Sequence, residues 1–445
     1  MGAILDFADA LWKGETTTYA HHPLSKPYGI DKVAEDTWFQ KFFSNTIIRE
    51  TPEGLILIDP SGFGGIKVKF DMVRSVSSQR LNTAIYTHGH VDHCFGVPAY
   101  LEEAKSKGWS KPQVIAHEAT PARFQRYRET AGYNETINSR QFMGGQGKVS
   151  FPSDFYYPDI TYKDRLTITV GGVTALLRHA RGETDDHTWI FFPDTGVLCP
   201  GDLFFWCVPN AGNPQKVQRY CKEWAVALRE MATMEPEVLL PGHGWPIIGG
   251  DRVRQALDDN ARLLEIVYEQ TIKLMNQGAS LDKIIHTVKV PEDLLNKPYL
   301  HPIYDEPEFI VRNLWRLYGG WYDGTPSHLK PAPEKEQAEE FSRLAGGVDK
   351  LIPRAKELKQ AGNFRLACHL ADWAYLAAPD SPEVREAVYQ IYVARAEAET
   401  STMAIGIFMA RAREVMGEGY EDEVTGTRVL QAQDERGRKT LGVRA

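Results

Sequence analysis

Up to about Asp251, short β-rich apolar runs alternate along the chain with longer stretches of helical composition. "SNTIIRE" and "GLILIDPS" flank the turn "TPEG", which predicts a hairpin. "KVKFDMVRSVSSQ" predicts a helix and "NTAIYTHG" a strand. "VPAYLEEAKSKG" predicts a helix with Glu102, Glu103, Lys105 and Lys107 on a solvated face, ended by Gly108. "PQVIAHE" reads as strand. "TPARFQRYRETAG" opens with a Thr cap and a Pro at the first helical position, then turns helical. From Phe155 to Leu203 the pattern is strand-rich: "RLTITVGG", "VTALLRHA", "HTWIFFPD" and "GVLCPGD". The helix "EWAVALREMATM" and the strand "EVLLPGHG" follow.

After Asp251 the pattern is almost wholly helical. "RVRQALDDNARLLEIVYEQTIKLMNQG" places apolar residues three and four apart and stops at Gly278. Pro and Gly then accumulate in "NLWRLYGGWYDGTPSHLKPAPEKEQ", which reads as a linker. Beyond it, "GNFRLACHLADWAYLAAPDSPE" has the small residues of one tetratricopeptide-like helical hairpin, with too few copies for a solenoid. These patterns divide the chain into an α/β domain over 1–325, helical from about 251, an all-α domain over 326–420, and a charged tail over 421–445.

Composition narrows the function classes. A net charge of −8 argues against a general nucleic-acid binder, because neutralising phosphates needs a clustered positive surface. The start "MGAILDFADALWKGE" lacks a basic leader, and Asp6 and Asp9 interrupt its apolar positions, so no secretory signal is expected. No apolar run approaches the roughly 20 residues that span a bilayer. Five cysteines are too few, and odd in number, for a disulfide framework. A cytoplasmic location is the resulting expectation.

One stretch concentrates chemistry. "THGHVDH" places His88, His90, Asp92 and His93 directly after a predicted strand. Imidazole and carboxylate are the natural donors to zinc and similar divalent cations. His88 and His90, two apart, point the same way in extended chain. Other donors stand near strand ends: His179, Glu183, Asp185, Asp186 and His187 in "RHARGETDDHTWI", Asp202 in "VLCPGDLFF", and His243 in "LLPGHGWP".

These motifs resemble the HxHxDH signature and its accompanying segments in the metallo-β-lactamase superfamily, in the same order. The resemblance implies an αββα sandwich with two metals at one edge of the sheets. That family usually reads G-H-[ST]-x-G-H between the signature and the "GD" strand. Here Glu183 stands at the ligand position, as in the type III alkylsulfatase branch. "GHGWPIIGG", the linker "GGWYDGTP" and the helical region after it are also similar to that branch. The sterol-carrier-like domain that often ends those enzymes is not expected in this chain.

The resemblance implies that His88, His90 and Glu183 hold one divalent metal, with zinc the expected ion. It implies that Asp92, His93 and His243 hold the second, with Asp202 bridging. A metal-bound hydroxide then attacks an alkyl or related sulfate ester, with Asp92 and Asp202 the catalytic carboxylates. Asp185 or His187 competes with Glu183 for the ligand role. His179 and His187 are expected behind the ligands. Arg140, Asn210, Asn213 and Arg219 are candidates for the anionic group, since an arginine fork pairs two oxygens. The alternative for the arginines is ordinary surface ion pairing. "LFFWCVP" either lines an apolar pocket for the substrate's tail or packs in the core. Asp202 departs from the glutamate bridge of the alkylsulfatases compared. That departure keeps other esters, lactones, phosphodiesters and carbon–halogen substrates open. The helical domain implies a homodimer. A non-catalytic dimeric scaffold is the alternative of another class.

Overall fold

The structure is a computed structural model that describes residues 2–145, 147–417 and 420. The expected charged tail, 421–445, lies outside the described residues. By internal contacts the chain divides into two units. One holds described residues up to 131 together with 151–320, and the other holds the described residues within 132–150 and 321–420.

The first unit is built on two sheets. The first runs β1 (Gly29–Ala34), β2 (Thr37–Lys41), β3 (Thr46–Thr51), β4 (Gly54–Ile58), β5 (Leu81–Ile85), β6 (Gln113–His117) and β7 (Ile160–Tyr162), neighbours in that order. β1 to β4 pair antiparallel, and β4 to β7 pair parallel. The second contains β8 (Arg165–Val170), β9 (Val173–His179), β10 (Thr188–Phe192), β11 (Val197–Gly201), β12 (Val238–Pro241) and β13 (Ile247–Ile248). Only β11 and β12 pair parallel there.

Alternation along the strands decides which face each residue serves. Ile47, Ile56, Ile58, Ile85 and Ile115 point into a core shared with Leu177, Ile190 and Cys199 of the second sheet. Their neighbours Ile48, Leu55, Leu57, Ala84 and Val114 face the other way, onto Val73 and Tyr100 of two covering helices. Those helices are Ile66–Val76 and Val97–Lys107. Helices Cys221–Ala232 and Gly250–Asn276 cover the second sheet with Trp224, Leu228, Val253 and Leu257. The layering is helix, sheet, sheet, helix: the αββα sandwich.

Some elements depart from the sequence expectations. Helix Ala3–Lys13 and the strands β1 and β2 had no predicted counterpart. The first part of the expected linker is helical, because Pro307–Gly319 buries Ile310, Val311 and Leu314 on one stripe. In "LFFWCVP", Leu203, Phe204, Trp206 and Val208 belong to the core.

The second unit is helical. In the expected hairpin, helices Phe364–Ala377 and Pro382–Glu397 bury Ala367, Ala371, Ala374 and Ala387, so their backbones approach closely. The helix Ala131–Met143 belongs mostly to this unit, where Gly406 leaves room for the Gln141 carbonyl. Among the described residues no helix is long and apolar enough to cross a membrane.

Candidate metal centre

Every element that delivers a candidate ligand ends at the same edge. β4 and β5 are parallel, so Asp59 and the "THGHVDH" turn leave neighbouring strands side by side. β11 and β12 are parallel as well, which places Asp202 and His243 together just beyond Gly201 and Pro241. Glu183 lies on the connection between β9 and β10. Gly201 turns with φ 56°, and a Cβ there would sit 2.6 Å from His187 Nε2, so glycine lets the strand deliver Asp202.

Two donor groups result. His88, His90, Glu183 and Asp202 form one, and Asp92, His93 and His243 the other, each with ligating atoms within 4.8 Å of one another. His88 Nε2 is 3.7 Å from both Glu183 Oε2 and Asp202 Oδ2, and His90 Nδ1 is 3.8 Å from Glu183 Oε2. Asp92 Oδ2 is 3.3 Å from Nε2 of His93 and of His243. Asp202 Oδ2 also lies 3.5 Å from His93 Nε2 and 3.2 Å from His243 Nε2, so this one oxygen faces both groups.

The far ring nitrogens are anchored by protein. His93 Nδ1 meets Asp59 Oδ2 at 2.9 Å, His243 Nδ1 meets the Phe43 carbonyl at 2.7 Å, and His88 Nδ1 meets Thr87 Oγ1 at 3.0 Å. Such anchors set which nitrogen faces the centre. Asp186 accepts from the Gly89 backbone, Thr120 and Arg123, each at 2.9 Å, and so pins the turn between His88 and His90. Asn45 donates to the Pro241 and Gly244 carbonyls and holds the loop of His243.

Charge is unevenly spread. Burial, reinforced by neighbouring imidazoles, holds His88 well below the usual histidine range. Burial, with Arg219 and Arg123, does the same for His90. Burial would also lower His93 and His243, but the carboxylates of Asp202 and Asp92 outweigh it. His93 rises well above its ordinary value and His243 to about 9. Burial pushes Asp92 and Asp202 upward, and the facing histidines overturn that and hold both well below the carboxylate range. Burial raises Glu183 to about 8, with Arg219 opposing and Asp202 adding to the rise. A ligating imidazole must be neutral, so a divalent cation binding here displaces protons.

The residues fit such a cation. His93 Nε2, Glu183 Oε2 and Asp202 Oδ1 are buried without a hydrogen bond, although each can donate a lone pair inward. Imidazole with carboxylate is the donor chemistry of zinc-type ions.

The remaining sequence candidates have other partners. Asp185 pairs with Arg123. His187 stacks on His88 at 4.5 Å and donates from Nε2 to the Pro200 carbonyl. His179 stacks on His117 and meets the His187 carbonyl at 2.9 Å. Asn210 and Arg219, expected at the substrate, turn their side chains to Glu183 instead. Asn213 accepts from the Gln215 backbone at 3.3 Å. Arg140 is exposed on helix Ala131–Met143, in the second unit. Sequence reasoning missed Asp59, Thr87, Arg123 and Lys216. Lys216 is half-buried, and its ammonium is brought down to about 7 by burial and Arg219, while Asp92 and Glu183 pull it up. Asp59 had a signal, since "LILIDPS" ends a strand beside the histidine turn.

This sandwich and its two facing donor groups are the architecture of metallo-β-lactamase domains, and residues 40–243 match the family model "Metallo-beta-lactamase superfamily". Residues 280–418 match the model "Alkyl sulfatase dimerisation". The chain thus carries a metallo-β-lactamase domain followed by an alkylsulfatase dimerisation domain. A linear primary-alkylsulfatase from Pseudomonas is 27% identical over 357 residues, covering 76% of this chain and 67% of that protein. An alkyl/aryl-sulfatase from Saccharomyces cerevisiae is 25% identical over 82% of this chain and 60% of its own length. The chain thus spans about two thirds of the curated relatives it matches, or less. The solved structure of a stereoselective inverting sec-alkylsulfatase from Pseudomonas superposes with a TM-score of 0.79 and 22% identity. It covers 88% of this chain and 66% of that one, and it shares the fold.

Proposed function

We propose that this chain is a dinuclear metal-dependent hydrolase of alkyl or related sulfate esters. The observation that carries the two-metal reading is the position of Asp202 Oδ2, 3.7 Å from His88 Nε2 and 3.2 Å from His243 Nε2. One carboxylate oxygen facing two donor groups is what a bridge requires. The sulfate-ester reading rests on the alkylsulfatase relatives and on the match of 280–418 to their dimerisation domain.

His88, His90 and Glu183 hold one cation and Asp92, His93 and His243 the other, with Asp202 shared and zinc the proposed metal. When bound, the two cations supply a Lewis-acid pair that brings the pKa of a water toward neutrality. Asp59, Thr87 and the Phe43 carbonyl keep the three imidazoles turned inward. Lys216, which interacts electrostatically with Asp92 and Glu183, is the side chain we assign to the anionic head group. Phe205, 5.1 Å from the ring of His243, gives an apolar wall for the substrate's tail. The five free thiols suit a reducing cytoplasm. Exposed Phe341, Leu344 and Leu366 on the helical unit suit a homodimer interface.

The test is sulfate release from medium-chain alkyl sulfates by the zinc-loaded protein, beside phosphodiester and lactone panels. Turnover confined to sulfate esters, and lost on chelation, is expected. No sulfate release at any chain length would overturn the reading, and metal content well under one per chain would favour the scaffold. Sedimentation analysis tests the homodimer.

A further inference from the structure

The two carboxylate oxygens of Glu183 have different surroundings. Its Oε1 accepts from the Asn210 amide and lies 3.1 Å from Arg219 Nη1, which also donates to the Glu183 carbonyl. Its Oε2 is buried, accepts nothing, and faces His88 and His90. Arg219 is 2% exposed, so its charge is spent inside the protein, on this carboxylate.

Arg219 is itself held. Asn313 receives the Arg219 backbone N–H at 3.4 Å and donates to the Arg219 carbonyl at 2.9 Å. Asp305 accepts from the backbones of Gly212 and Asn213 and so fixes the loop between Asn210 and Arg219. Asp305 and Asn313 fall in the segment matched by the dimerisation model, beyond the stretch matched by the metallo-β-lactamase model.

We propose that Arg219 and Asn210 are positioning residues that present Glu183 to the metal through Oε2 alone. Arg219 also neutralises the anionic charge that glutamate brings where a histidine would bring none. Asn313 and Asp305 complete the clamp, so the segment from 280 to 320 is part of the metal site's support. The inference rests on the two-metal reading. A side chain that orients a ligand in this way commonly changes metal affinity by about 10–100-fold when removed.

The experiment is zinc titration of the metal-stripped full chain against a chromophoric chelator, with circular dichroism and thermal melting as folding controls. Wild type is expected to take two tight equivalents. Arg219→Gln is expected to weaken one of them by about 10-fold or more and leave the other unchanged. Arg219→Lys, which keeps charge but not the fork, should recover part of the loss. Asn313→Ala should weaken the same equivalent by a smaller factor. Arg229→Gln, which breaks an ion pair with Glu265 on the covering helices, should change neither. Two unchanged equivalents in folded Arg219→Gln would overturn the inference alone. If that variant fails to fold, Asn210→Ala decides by the same criterion. A wild type that binds no zinc would overturn the two-metal reading and this inference with it.

Discussion

Asp59 Oδ2 lies 2.9 Å from His93 Nδ1, on a residue whose backbone turns left-handed with φ 52°. Its other oxygen takes the Thr87 N–H at 2.8 Å. One carboxylate therefore ties the end of β4 to the histidine turn that follows β5. Asparagine tolerates the left-handed region and alanine does not. Asp59→Asn is predicted to keep the fold and lower zinc affinity by about 10–100-fold. Asp59→Ala is predicted to lose stability as well. Chelator competition and urea unfolding measure the two effects, and wild-type affinity in both variants would refute the first.

Removal of metal is predicted to destabilise the first unit. A ligand that binds only the folded state adds RT ln(1 + [L]/Kd), about 2.7 kcal/mol at a hundredfold excess over Kd. Scanning calorimetry with chelator and with zinc should show a transition that moves up with free zinc. A midpoint indifferent to both would count against a metal site of any affinity.

Arg123 Nε and Asp186 Oδ1 meet at 2.9 Å with both side chains almost fully buried. Burial would raise the Asp186 carboxyl, yet Arg123 holds it down to about 2. Arg123→Met leaves that charge buried and unpaired, a change that costs about 3–5 kcal/mol. The double variant Arg123→Met with Asp186→Leu should recover part of the loss. Urea unfolding of the metal-stripped chain is the measurement, and a loss under about 1 kcal/mol would contradict the assignment, since exposed pairs contribute that little.

Stability is predicted to fall on the acid side through two histidines outside the ligand set. Burial brings His301 down to about 4 and His22 to about 3. His22 Nδ1 accepts the Leu24 N–H, and His301 Nδ1 meets Thr18 Oγ1 at 2.8 Å. Both are neutral in the fold, whereas unfolded histidine titrates near 6.5. Between about 6.5 and the folded values the unfolded chain binds more protons, so stability drops as pH falls through that window. His301→Gln should flatten the limb between about 6.5 and 4. An unchanged slope in that variant would exclude His301 as a contributor.

The histidines and aspartates of the centre were legible because a metal site needs rare residue types at strand ends, and the sequence displays them there. Asp59 was not, since its role depends on which strand lies beside β4, a long-range pairing that local pattern does not encode. Asn210 and Arg219 were legible as anion-binding chemistry but not as to which anion. In the structure both side chains contact the internal carboxylate of Glu183. The covering helix Pro307–Gly319 was hidden inside a Pro- and Gly-rich stretch that composition alone marks as a linker. The helix Ala131–Met143 sits between strands of the first unit in sequence while its contacts lie largely with the second, which no local signal reveals.

Asp202 leaves the second sheet and the histidine turn leaves the first, so neither donor group exists on one sheet alone. The donors are spread along the chain from His88 to His243. The local fragment 88–93 therefore supplies only part of each donor group, and neither group is complete until the second sheet is in place. Uptake marks the closing of the two sheets on each other, a late step paced by long-range loop closure.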